Sequence, residues 1–133
     1  MALRAFWTST LAVSCLAGSV VAAPAPAVEA AQASAFMGTW VIAMTNPQGA
    51  TQTVRIWDEK GVVAASVQLG RFPPREVTGT LKDGEMLVLT HTVFENGKSI
   101  RSVVSLTLNG DVMNLAQMLE FSETIKRGSG KRN

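Results

Sequence analysis

KDGEMLVLTHTVFENGKSIRSVVSLTLNGD, residues 82–111, reads as two strands framed by three tight turns. Asp83-Gly84, Asn96-Gly97 and Asn109-Gly110 mark the turns, because Asn, Asp and Gly reach the positive-φ conformations that short hairpin loops need. Between them, Leu87, Leu89 and Val93 fall on one face with His91 among them, and Ile100, Val104, Leu106 and Leu108 fall on one face of the next run. A period of two is the signature of a half-buried strand, and two such runs across an Asn-Gly turn form a hairpin.

The same alternation of turn and apolar run extends in both directions. NPQG (46–49), DEKG (58–61) and LGRFPP (69–74) punctuate the chain before this stretch. The runs predict strands at roughly 39–45, 51–57, 62–69, 75–82, 85–94, 98–108, 111–118 and 121–127. Residues 112–121, VMNLAQMLEF, hold good helix formers, but the NGD turn before them favours a strand. Eight strands joined by hairpins, each with one apolar face, predict an all-β, antiparallel, up-and-down barrel, which leaves no bare sheet edges.

The flanks differ in composition. Arg4 is followed by an uncharged stretch, residues 5–23, rich in Ser, Thr, Ala and Gly. This pattern predicts an export signal over 1–22, cleaved after Ala22 where small residues occupy the −3 and −1 positions, and a mature protein that is periplasmic or secreted. Cys15 is the single cysteine and falls inside that signal, so the mature chain is expected to have no disulfide and no thiolate ligand. Residues 23–35, APAPAVEAAQASA, read as a flexible Ala/Pro linker, 36–127 as the barrel domain, and 128–133, GSGKRN, as a flexible basic tail.

Gly38-Thr39-Trp40 at the first strand and Arg127 at the predicted last strand resemble the structural signature of lipocalin-like barrels of the calycin superfamily. The resemblance implies that Trp40 closes one end of the barrel, that Arg127 packs across its ring, and that Gly38 gives the backbone room. A guanidinium over an indole face supplies a cation–π contact at such a closure. The resemblance also implies a ligand held inside the barrel. The chain departs from lipocalins proper in lacking tyrosine and the length for a helix after the barrel. Small exported barrels such as bacterial metalloprotease inhibitors are closer in length, but they carry a disulfide.

Several function classes are disfavoured. A net charge of +2 with scattered basic residues gives no nucleic-acid footprint. With one histidine there is no basis for a metal site, and no nucleophile elbow or phosphate loop is present. No catalytic residue and no cofactor are predicted, and no membrane association after signal cleavage. GRFPPR (70–75) is the most unusual loop: two prolines stiffen it, and Phe72 and Arg71 could form a contact lid, or Phe72 could tuck onto the barrel end. Trp57 lies opposite Val54 and Ile56 and is expected outside. The expected function is a non-catalytic binding protein for a small apolar molecule, with Arg71, Phe72 and His91 as contacts. The alternative is a protein–protein module for an envelope partner, an inhibitor or accessory subunit with a filled core, using the 23–35 linker, GRFPPR and Trp57 as its contact surface.

Overall fold

The turns take the conformations their residues favour. Asn96 and Gly97 have φ of 51° and 76°, the paired positive values that match the twist of flanking strands, whereas at Lys60 and Gly61, φ 54° and 93°, a lysine is held where only the glycine is at ease. The structure is a computed structural model that describes residues 27–46 and 48–133. The predicted export signal, Cys15 and the start of the Ala/Pro stretch lie outside the described residues.

A short 3-10 segment, Ala30–Phe36, precedes nine strands: β1 (Gly38–Thr45), β2 (Gln48–Glu59), β3 (Val62–Leu69), β4 (Arg75–Glu76), β5 (Gly79–Asp83), β6 (Met86–Glu95), β7 (Lys98–Asn109), β8 (Val112–Leu119) and β9 (Ile125–Arg132). All pair antiparallel in one sheet of order β4-β3-β2-β1-β9-β8-β7-β6-β5. The helix-prone run after Asp111 is strand β8, as its preceding turn predicts. The inner face buries Trp40, Ile42, Val54, Ile56, Leu87, Leu89, Val104, Leu106, Met113 and Leu115, following the alternation read from sequence.

The sheet is a strongly curled half-barrel, not the closed eight-stranded barrel expected. The strand predicted at 75–82 is two, β4 and β5, and these are the two edges of the sheet. Only Val77 and Thr78 separate them in the chain. Val77 donates its N–H to the Ala65 carbonyl of β3 (2.9 Å), and Thr78 donates to the Thr90 carbonyl of β6 (2.8 Å). Pro73 and Pro74 have no N–H to offer, so pairing with β3 starts only at Arg75, and three residues later, at Thr78, the chain has crossed to β6. No ladder joins β3 to β6 directly.

At one end of the half-barrel the N-terminal segment spans the gap. Val28 donates its N–H to Thr80 Oγ1 on β5 (2.8 Å), and its carbonyl accepts from Val63 on β3 (2.8 Å). Val28, Ala33 and Phe36 join the core. Residues 27–35 therefore depart from the flexible linker expected. They are too poor in large apolar groups to make a core, but their small side chains let the backbone dock on one that already exists.

Residues 128–132 are likewise not a tail. They complete β9, pairing with β1 and β8. Their glycines answer a steric demand: a Cβ on Gly130 would collide with the Val41 carbonyl, and one on Gly128 would lie 2.7 Å from the Ala43 carbonyl oxygen. This shift of the last strand also corrects the closure partner. Trp40 stands opposite Arg132 in the β1–β9 register, and the Arg132 guanidinium carbon lies 4.6 Å from the centre of its ring, whereas Arg127 is exposed and pairs with Ala116. Arg132 Nη2 also donates to the Ala35 carbonyl (2.8 Å), and Trp40 Nε1 donates to the Phe36 carbonyl (2.8 Å). Gly38, at φ 117°, passes beneath the Arg132 side chain, where a Cβ would lie 3.2 Å from Cδ.

Candidate functional site

On four of the strands the inward face changes character toward the end opposite Trp40. On β2, Ile56 and Val54 give way to Gln52; on β6, Leu87 and Leu89 to His91; on β7, Leu106 and Val104 to Ser102; on β8, Met113 and Leu115 to Gln117. The four polar residues are buried, from 0% exposed for Ser102 to 6% for Gln117. They form a polar belt across the half-barrel. Gln52 Nε2 donates to Gln117 Oε1 (2.7 Å), Gln117 Nε2 donates to Ser102 Oγ (2.7 Å), and Ser102 stands opposite His91 in the β6–β7 ladder.

Beyond the belt a cavity of about 550 Å³ opens to solvent. That lies within the range of small-molecule sites, about 300–1,000 Å³. Gln52, His91 and Gln117 line it together with apolar walls from Met44, Val67, Leu69, Val93 and Leu119, and with Phe72, Pro73 and Phe94. Arg75 also lines it, its guanidinium carbon 5.0 Å from the centre of the Phe94 ring, as do Glu95 and Lys126. A cationic group on an aromatic face holds the side chain over the wall without a carboxylate partner.

Two buried atoms in the belt have no hydrogen-bond partner: Gln52 Oε1 and His91 Nδ1. Burial lowers the His91 pKa below its usual 6.5, and the positive charge of Arg75 lowers it further, so the imidazole is neutral at pH 7. A neutral imidazole carries one N–H and one lone pair, and can offer either at Nδ1. Among the described residues no three His, Cys, Asp or Glu side chains are grouped to share a metal ion.

The predicted contact residues separate. Phe72 and His91 both line the cavity, one at its mouth and one at the belt. Phe72 is 68% exposed and does not tuck onto the barrel end. Arg71 points to solvent outside the lining set, and Arg75 at the other end of the same loop takes the place expected of it. Trp57 is on the outer face, as its parity predicts, half-buried near the closed end, with Nε1 donating to Glu59 Oε1 (2.8 Å). It takes no part in the cavity. Sequence reasoning passed over Gln52, Ser102 and Gln117, although each occupies a core parity in its strand, and a polar residue in that position is the signal of an interior site.

Comparison with protein-family models, with curated proteins and with solved structures gave no match. The fold and the cavity stand on their own geometry.

Proposed function

We propose that the protein is an exported, non-catalytic carrier, lipocalin-like in design, that holds a small apolar molecule in the half-barrel. The observation that supports this reading most directly is the cavity of about 550 Å³. It is walled by aliphatic and aromatic side chains, open to solvent at one end and floored at the other by the polar belt. The Gly-x-Trp and Arg pairing, with Arg132 in the role first expected of Arg127, supports the likeness to lipocalin-like barrels. The binding contacts are Phe72 and Arg75 at the mouth and His91 at the belt. The pattern of residues 1–22 supports export to the periplasm or beyond.

A second reading, a module that docks on an envelope protein, draws on the exposed Phe72, Phe94 and Phe121, the last 93% exposed. Such a module has no need of a cavity, so the carrier is preferred. Native mass spectrometry of the mature protein, purified gently from its source, separates the two. A stoichiometric excess mass lost on denaturation is expected. The bare mass, together with a co-purifying protein, would count against the carrier. The same spectrum tests cleavage after Ala22.

A further inference from the structure

The polar belt lies at the inner end of the cavity, aliphatic side chains such as Val67 and Leu119 form its walls, and Phe72, Phe94 and Arg75 stand at its mouth. A purely apolar molecule has no use for polar groups at the inner end. Gln52 and His91 are 3% and 2% exposed, both line the cavity, and each has one polar atom that no protein group satisfies. Burying a polar atom without a partner forfeits its bond to water with nothing in exchange, and a native structure that keeps two at one site needs a reason for them.

We propose that the cavity takes its ligand polar end first: a single-chain amphiphile with an uncharged head that both donates and accepts hydrogen bonds, such as a hydroxyl or primary amide. The orphaned atoms are themselves closed to solvent, so Gln52 and His91 turn them toward the cavity as the head arrives and supplies their missing partners; the tail lies along Val67, Leu69, Val93 and Leu119 toward Phe72. This rests on the carrier reading above and specifies its ligand class.

The belt suits a head of that kind. The Ser102 hydroxyl can accept or donate, so the Ser102–Gln117–Gln52 relay runs in either direction. In one, Gln52 has Oε1 free; with both amides turned over, it has Nε2 free. The neutral imidazole of His91 has the same freedom between its tautomers. A carboxylate head would fit the belt poorly, because it would leave water at a depth where no cation is bonded. It would instead pair with Arg75 at the mouth, put the tail against the belt, and leave both orphaned atoms unsatisfied.

Isothermal titration of the mature protein with 1-decanol, decyl methyl ether and decanoate, which share a chain length, tests this. Decanol is expected to bind on the order of tenfold tighter than the ether, which cannot donate. Gln52→Met and His91→Phe, each checked by thermal melting, are expected to bring that ratio close to one. Either variant alone suffices if the other does not fold. Equal binding of alcohol and ether by the unaltered protein would overturn the head-first proposal and leave the carrier intact. So would a preference for decanoate that Arg75→Ala abolishes. Absence of binding by all three would remove the carrier reading and this proposal with it.

Discussion

Gly38, Trp40 and Arg132 form one unit: the glycine yields the space the arginine stem occupies, and the arginine covers the indole. Trp40→Ala is expected to cost about 3–5 kcal/mol as a large core truncation. Arg132→Ala removes a cation–π contact and a hydrogen bond to Ala35, and should cost about 1–2 kcal/mol. Because the two touch, the double variant should lose less than the sum in urea denaturation, and strict additivity would show that they do not interact. Arg127→Ala, at an exposed site, should stay within about 0.5 kcal/mol of the parent. His91 gives a separate test through pH. Its folded pKa lies below its unfolded value near 6.5, so the unfolded chain binds the proton more readily. Its contribution is fully present above about pH 6.5 and is lost as pH falls toward the folded pKa. Denaturation midpoints should therefore drop between about pH 7.5 and pH 5.5, and His91→Phe should flatten that slope.

Strands and turns were legible because alternation and Asn-Gly or Asp-Gly pairs act locally. The elements misread were those whose order depends on partners distant in sequence. Residues 27–35 and 128–132 have linker-like compositions, and both are ordered by what they dock against. In β9 the small residues are required by the closeness of β1, a fact no window of sequence around Gly128 or Gly130 contains. The Arg127 misassignment follows from the same error, since ending the last strand early puts the wrong basic residue opposite Trp40. Gly130→Ala is expected to destabilise by about 1–3 kcal/mol, as other overpacked sites do. Removal of residues 128–133 should abolish the cooperative melt seen by circular dichroism, because β1 loses a whole neighbour. A truncated chain that melts like the parent would restore the tail reading.

As a whole, the molecule is a curled sheet with one end plugged and the other hollow. The hollow was only half legible: His91 stood out as the lone histidine, but Gln52 and Gln117 become conspicuous only when the half-barrel places them in one layer. Leu119→Trp should fill the mouth, lower decanol affinity at least tenfold and leave the melting temperature near the parent's, since it removes empty space rather than packed atoms. The β1–β9 ladder also sets an order of events. Eight strands leave the ribosome before β9 does, and throughout that interval β1 has β2 on one side and a bare row of amides and carbonyls on the other. Two nascent chains that meet in this window could pair through those rows. The hazard of aggregation thus lasts for as long as β1 waits for β9, on the ribosome or on leaving an export channel, and a chaperone that covers β1 until β9 arrives should raise the yield.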